Sequence, residues 1–445
     1  MLNRISRPLV ILVEKYLPDP FIFVLVLTFI VMAGSVGIQG HSWLKTIQFW
    51  GQGFWGLLGF SMQMLLILIN GFLLANTKII QFLLTSIASK VASAKQAIVL
   101  ISIMALLASW INWGFGLVIS AFFAKALARY VKVDYKLLVA SAYSGFLVWH
   151  GGLSGSIPLT IALDNHFLHD SMGAISTSDT IFSSYNMILV ATLFLVIPIV
   201  NMLMLPSNDE SVFVSHKISE ELKETQEKEE EQEKERIKET ISKRYLENSH
   251  ILAYGIGLSG LFYIVHYFMD GGGLNLNIIN FTFLFLAILL HGTPHRVLHT
   301  LDKAAGSGSG IILQFPFYAG IMAIMTQSGL AAWLSQLFID FSTPDTFIFW
   351  SFISAGIINF FVPSGGGQWA VQSPIFIPAA QALGVDVART AMAISWGDAW
   401  TNMVQPFWAL PILAIAGLSA RDIMGFCLVH LMVSGVIMSA CLVWL

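Results

Sequence analysis

Two short polar breaks interrupt otherwise apolar sequence, and their residue types suit the binding of a small ion. The first is Asn112-Trp113-Gly114-Phe115-Gly116. The second is Asn359-Phe360-Phe361-Val362-Pro363-Ser364-Gly365-Gly366-Gly367-Gln368. Glycine lets the backbone approach a ligand closely. Freed N–H groups at the start of a returning helix carry partial positive charge and suit an anion. Unwound carbonyls and Asn, Ser or Thr oxygens suit a sodium ion. Unpaired backbone is so costly in lipid that such breaks persist only where they line a protein cavity.

Each break has a partner further along the chain. Gly151, Gly152, Ser154 and Ser156 interrupt the apolar run 137–163. Trp396, Gly397, Asp398, Thr401, Asn402 and Gln405 interrupt the run 391–415. Substrate binding is therefore expected at Asn112, Gly114, Gly116, Gly152, Ser154, Asn359, Ser364, Gly365, Gly366, Gln368, Asn402 and Gln405. Ion coupling is expected at Asp398 and Thr401, and a sodium ion would sit near Asn112, Asn359 and Asp398. Asp398 is the one acidic residue that falls deep in a span, and a carboxylate there is expensive and functional by default. It could carry a proton or ligate a cation.

The competing reading is structural. The glycines would serve helix packing, Asn and Ser would satisfy kinks, and Asp398 would be a hydrogen-bonded strut. His150, beside the first break, reads as a backbone-bonded histidine or as a proton exchanger. Trp113, Trp149, Trp369, Trp396, Trp400 and Trp408 cluster near the breaks and would wall an apolar substrate tail or simply pack. No Lys or Arg falls in the deep segments. A multiply charged anion would be poorly compensated there, whereas one carboxylate can be held by helix ends and neutral donors.

The elements that must position these residues are membrane helices. The chain has 445 residues, 56% hydrophobic and 11% charged, with a mean hydropathy of +0.74. A soluble domain carries about 25% charged residues. Long uncharged runs such as Phe21–Ile38 and Met187–Leu205 exclude a soluble enzyme. Cys427 and Cys441 both lie in the last apolar run and imply no disulfide framework. No metal-ligand motif such as His-Glu-x-x-His is present. Neither an enzyme activity, a cofactor nor a nucleic-acid partner is expected.

The fold class is an all-α polytopic membrane protein. It has two inverted-topology repeats, each with a re-entrant hairpin and a broken transmembrane helix. Residues 1–17, with Arg4, Arg7 and Lys15, read as an amphipathic cytoplasmic helix rather than a signal peptide, because no small-residue cleavage site follows. The first transmembrane repeat spans 18–205 with hairpin 97–130. Residues 206–247 form a charged cytoplasmic linker holding half of the chain's 26 acidic residues. Residues 248–270 form a connecting transmembrane helix, and 271–445 form the second repeat with hairpin 346–383.

Placing Lys and Arg inside dictates this path. Lys125, Arg129, Lys132 and Lys136 stay inside only if the chain turns back at Asn112–Gly116. Hairpin arms of about 14 residues would reach roughly 21 Å, past the midplane without crossing. The connections 76–96, 164–182 and 329–345 read as loops. All 23 basic residues except Lys45 and Arg389 then lie inside, which puts the C-terminus outside. Four ordered pairs, Gln63 with Gln314, Asn112 with Asn359, Asp134 with Asp386 and Pro158 with Pro411, are each offset by about 250 residues. The second unit starts on the opposite face, as in many secondary transporters.

Several motifs are similar to a known family. They are Leu17-Pro-Asp-Pro, Asn112-Trp-Gly-Phe-Gly, Gln314-Phe-Pro-Phe-Tyr-Ala-Gly, Val362-Pro-Ser-Gly-Gly-Gly-Gln-Trp and Gln405-Pro-Phe-Trp-Ala-Leu-Pro. Together they resemble the bacterial short-chain fatty acid transporters over nearly the whole chain. The resemblance implies an inner-membrane permease for small monocarboxylates such as butyrate or acetoacetate, coupled to H⁺ or Na⁺. By analogy with the ion-transporter superfamily it implies a homodimer with moving hairpin domains. A passive anion channel and a cation/proton antiporter are the alternatives that the residues leave open.

Overall fold

The computed structural model describes residues 20–206, 212–213 and 245–445. The amphipathic helix expected at 1–17 and nearly all of the linker 206–247 lie outside these residues. The described residues form helices and no strands, the arrangement in which each segment satisfies its own backbone groups without water. Six helices are long and apolar enough to cross a membrane: Leu58–Ala75, Ala94–Ile111, Ser184–Leu203, Tyr245–Met269, Ser309–Gln327 and Ala420–Trp444. Polarity is inverted relative to a soluble protein. Leu195 and Phe262 are 70% and 72% exposed, while Asn112, His150, Asn359 and Asp398 are 0% exposed.

The first hairpin consists of helices Ala94–Ile111 and Trp113–Tyr130, joined by Asn112 alone. Asn112 has extended backbone, with φ −152° and ψ 122°. Its N–H bonds the Ala108 carbonyl at 2.9 Å, closing one helix. Its Oδ1 accepts the Phe115 N–H at 2.9 Å, opening the next. One residue thus serves both helix ends, and Gly114 and Gly116 remain helical instead of forming a loop. Each arm has 18 residues, or about 27 Å. This corrects the expected arm of about 14 residues: arm length gives no argument for re-entry.

The second hairpin consists of helices Pro344–Asn359 and Gly365–Leu383. Pro363 lies in the turn between them, and Ser364 caps the returning helix through the Gly367 N–H at 3.2 Å. Gly365, Gly366 and Gly367 form the first turn of that helix. They are glycines because rings press against them. A Cβ on Gly366 would lie 2.5 Å from the Phe60 ring, and one on Gly367 would lie 2.5 Å from Tyr318.

Both broken segments are interrupted near their middle. Helix Tyr135–Ser144 tightens into a 3-10 turn over Gly145–Gly151 and resumes at Ser156–Ile161. Helix Val387–Thr401 tightens over Asn402–Val404 and resumes at Pro406–Ala416. Pro406 keeps Gln405 extended, at φ −85° and ψ 111°. Aspartates cap both segments: Asp134 accepts from Leu137 N–H and Asp386 from Arg389 N–H, each at 2.7 Å. Helix Pro344–Asn359 packs along Val387–Thr401, and the first hairpin packs on Leu58–Ala75.

All three expected loops contain helices, that in 164–182 being the single turn His169–Met172. Lys78–Ala88 lies within 76–96, and Leu330–Phe341 fills most of 329–345. The first is amphipathic, with Ile79 and Phe82 exposed and Leu84 and Ala88 buried. With 11 and 12 residues, both are too short to register as spans.

The first hairpin is stitched to the first broken segment by two bonds. Trp113 N–H donates to Ser154 Oγ at 2.8 Å, and Leu153 N–H donates to the Trp110 carbonyl at 2.7 Å. Ser154→Ala leaves the Trp113 N–H buried and unpaired, an expected loss of about 1–3 kcal/mol. Thermal unfolding of the purified protein measures it. An unchanged transition would mean that this bond does not hold the hairpin.

Candidate functional site

Both tips and both breaks meet around one cavity of about 20 Å³, room for a single water molecule rather than for a four-carbon acid. Trp113 comes from the first hairpin tip. Trp149 and Ser156 come from the first broken segment, Ser364 and Gly365 from the second tip, and Trp408 from the second broken segment. Gln314 adds an amide, and Met64, Ile311 and Phe315 add an apolar wall. No Lys or Arg lines it.

Beside the cavity the two halves are joined by a buried ion-pair geometry. His150 Nδ1 stands 3.0 Å from Asp398 Oδ2, and both side chains are fully buried. The tautomer follows from the other ring nitrogen: His150 Nε2 accepts the Ile157 backbone N–H at 3.2 Å, and an N–H can only donate. That contact favours the tautomer that carries its proton on Nδ1, facing the carboxylate. Its ring stacks on Trp149 at 4.1 Å and 16°. Asp398 Oδ1 is buried with no hydrogen-bond partner among the described residues.

The other expected site residues fall into three groups. Asn359, Asp398, Thr401, Asn402 and Gln405 form one polar knot. Asn359 Nδ2 donates to the Asp398 carbonyl at 2.9 Å, to Thr401 Oγ1 at 3.0 Å and to Asn402 Oδ1 at 2.7 Å. Thr401 Oγ1 donates to the Gly356 carbonyl at 2.9 Å. Gln405 Nε2 bonds the Asn359 and Phe360 carbonyls at 3.0 Å each. Tyr143 OH reaches the Asn402 carbonyl at 2.5 Å, linking the knot to the first half.

Ser364 and Gly365 line the cavity itself. Gln368 lies one turn deeper, bonded to the Ala355 carbonyl at 2.9 Å. Gly114, Gly116 and Gly152 do not line it. A Cβ on Gly114 would lie 2.8 Å from Leu68 Cα, and Gly116 and Gly152 press on the backbone of Ser109 and Trp110. Their role is close helix approach. Gly366 likewise seats a ring, and Ser154 caps tip one.

Sequence reasoning offered the tryptophans as an apolar wall or as packing and missed their donors. The indole N–H groups of Trp113 and Trp149 are buried without partners among the described residues, and both rings line the cavity. In a site without Lys or Arg these are the strongest neutral donors present. Tryptophans next to breaks that lack basic residues were the available signal. Asn186 was missed outright. It bonds the Gly151 carbonyl at 3.0 Å and accepts from Trp396 Nε1 at 3.0 Å, so it positions both breaks.

Gly365 sets the contact between the second tip and the ion pair. A Cβ there would lie 2.5 Å from His150 Cε1 and 2.9 Å from a Trp149 ring carbon. Gly365→Ala is expected to cost about 1–3 kcal/mol of stability by overpacking. Thermal unfolding of the purified protein checks this, and an unchanged transition would remove Gly365 from that contact.

Comparisons with known proteins cover the whole molecule. Residues 1–445 match the family model described as short chain fatty acid transporter. A relative from Escherichia coli (strain K12) is 42% identical over 98% of this chain and 98% of its own length. A relative from Haemophilus influenzae (strain ATCC 51907 / DSM 11121 / KW20 / Rd) is 42% identical over 97% of each. Both carry the name "Putative short-chain fatty acid transporter". Two solved transporters share the fold at 14% identity. The Alcanivorax borkumensis YdaH transporter, of unusual topology, has a TM-score of 0.60 over 96% of this chain and 97% of its own. Neisseria gonorrhoeae MtrF, from a class of antimetabolite efflux pumps, has a TM-score of 0.52 over 100% of this chain and 96% of its own.

Proposed function

The chain belongs to the short chain fatty acid transporter family, and on that premise we propose that it is a secondary transporter of small monocarboxylates such as butyrate or acetoacetate, coupled to H⁺ or Na⁺. The observation that carries this is the cavity between the two tips. Its lining offers neutral donors, an apolar wall and no basic side chain, chemistry that suits one carboxylate with a short tail once the hairpins part and the space widens. A dicarboxylate would leave a second charge uncompensated.

Each element has a part in the mechanism. Trp113 and Trp149 N–H groups and the first turn at Ser364 and Gly365 hold the carboxylate. Met64, Ile311 and Phe315 receive the alkyl tail. Asp398 carries or ligates the coupling ion, and His150 reports its state to the cavity through Trp149. A space of about 20 Å³ is too small for the substrate, so the hairpins move for it to bind and to leave. A continuously open anion channel does not fit a space of about 20 Å³.

The same reading places the chain in a bacterial inner membrane as a homodimer, with linker 206–247 cytoplasmic and the C-terminus outside. The two hairpins enter from opposite faces as inverted repeats. The positions of the basic residues support that path, as do the buried turn at Asn112 and the paired caps at Asp134 and Asp386.

Uptake of labelled butyrate into proteoliposomes tests the function. Saturable uptake is expected, with unlabelled acetate, propionate and acetoacetate competing. Butyramide and succinate are expected not to compete. Absence of saturable uptake under any ion gradient would end this reading.

A further inference from the structure

One wall of the cavity carries an amide that an alkyl tail does not use. Gln314 lines the cavity and is 5% exposed. It stands on helix Ser309–Gln327, on the same face as Ile311 and Phe315, which are three and one positions away. Those two residues and Met64 form the apolar wall. Gln314 therefore belongs to the side that receives the tail. The carboxylate donors Trp113 and Trp149 come from other elements, the first hairpin and the first broken segment.

The amide is held in one orientation. Tyr318 OH donates to Gln314 Oε1 at 3.1 Å. The Tyr318 ring is fully buried and is pinned by the second hairpin, where a Cβ on Gly367 would lie 2.5 Å from it. With Oε1 taken, the amide offers its Nε2 donors, which meet no acceptor among the described residues. Gln63, which matches Gln314 in the sequence pattern, is spent differently: its Nε2 donates to Asn277 Oδ1 at 2.7 Å.

A donor in the tail wall sets a preference. The closed cavity has room for one water molecule, which can meet Nε2. A tail that displaces this water with carbon leaves the donor buried and unpaired, whereas a tail oxygen restores the hydrogen bond. A site built to hydrogen-bond a substrate group rejects the analogue that lacks it far more strongly than an apolar pocket rejects an extra methylene. For a purely alkyl tail, methionine or leucine would serve better at this position.

Resting on the transport reading above, we propose that Gln314 determines specificity: its Nε2 donates to an oxygen on the substrate tail, so short oxo acids are preferred over alkyl acids of the same shape. Tyr318 is the positioning residue that turns the donor toward the tail. Nε2 brings donors only, so a carbonyl oxygen, which purely accepts, fits it best.

The test compares acetoacetate with isovalerate, which carries a methyl group where acetoacetate carries its carbonyl oxygen. Initial uptake of each labelled acid into proteoliposomes gives the ratio of their kcat/KM values. In the wild-type protein acetoacetate is expected to be favoured about tenfold or more. Gln314→Met, of similar length, is expected to abolish that preference by raising KM for acetoacetate about tenfold while leaving or lowering KM for isovalerate. Tyr318→Phe keeps the ring against Gly367 and removes the hydroxyl, and the preference is expected to fall severalfold. If Gln314→Met vesicles transport neither acid, Tyr318→Phe decides, and an unchanged preference there would overturn the proposal. So would a wild-type protein that treats both acids alike, or variants that change both by the same factor; each would leave the transport reading standing. Absence of saturable uptake of any monocarboxylate would end the transport reading itself, and this proposal with it.

Discussion

Asp398→Asn is expected to abolish gradient-driven accumulation of butyrate while leaving the protein folded. The side chains are isosteric, and the Asn oxygen still accepts the His150 Nδ1–H that now meets Asp398 Oδ2 at 3.0 Å. What is lost is the negative charge. A fully buried carboxylate is costly to keep without a cation. Removing it should therefore leave thermal stability unchanged or raised. Coupling should disappear: uptake that responded to the ion gradient should fall by about a hundredfold, which corresponds to roughly 2.7 kcal/mol. The measurement is initial uptake with and without the gradient. If Asp398→Asn vesicles still respond to the gradient, Asp398 is a structural strut.

The second large effect concerns the tryptophan donors. Trp113→Phe and Trp149→Phe keep an aromatic ring at each position of the 5.9 Å edge contact and remove one N–H each together with part of the indole volume. In the structure those N–H groups have no partner among the described residues, so losing the donor itself costs no stability, and the stability loss is that of the smaller buried ring alone. Substrate affinity should fall. A hydrogen bond to a charged group contributes about 1.5–3 kcal/mol, so KM for butyrate should rise about ten- to a hundredfold per substitution. Thermal unfolding and uptake kinetics together check the sign of both effects. A stability loss with unchanged KM would make the indoles packing residues.

Much of the architecture was legible in the sequence for a physical reason. Lipid forces backbone pairing inside each segment, so polar breaks at Asn112, Ser364 and Gln405 stand out against apolar surroundings. Asp398 was visible because a lone deep carboxylate is rare. Its partner was harder to see. His150 lies 248 residues before Asp398 in the chain, and only packing brings Nδ1 to the carboxylate. The glycines misled. Gly114, Gly116 and Gly152 read as ligand-approach positions, yet each faces a neighbouring helix. Sequence cannot tell whether the missing side chain makes room for a ligand or for a helix. Arm length failed for a related reason. Asn112 closes one helix and opens the next by itself, so residues assigned to a loop are helical. The short helices Lys78–Ala88 and Leu330–Phe341 were hidden because 11 and 12 residues are too few for a span.

The polar knot around Asn359 explains why the second break tolerates so much unwound backbone. Asn402–Val404 and the extended Gln405 would leave carbonyls and N–H groups unmet in lipid. Tyr143 meets the Asn402 carbonyl and Asn359 the Asp398 carbonyl, while Thr401 and Gln405 tie the break to the Gly356 and Asn359 carbonyls of the second hairpin. The first break is held by Asn186 and Ser154 instead.

The most direct test is the steady-state accumulation ratio of labelled butyrate in proteoliposomes under an imposed inward ion gradient. The account predicts an internal concentration that rises above the external one, collapses when an ionophore dissipates the gradient, and never rises in Asp398→Asn vesicles. Entry that only equilibrates, whatever gradient is imposed, would contradict it.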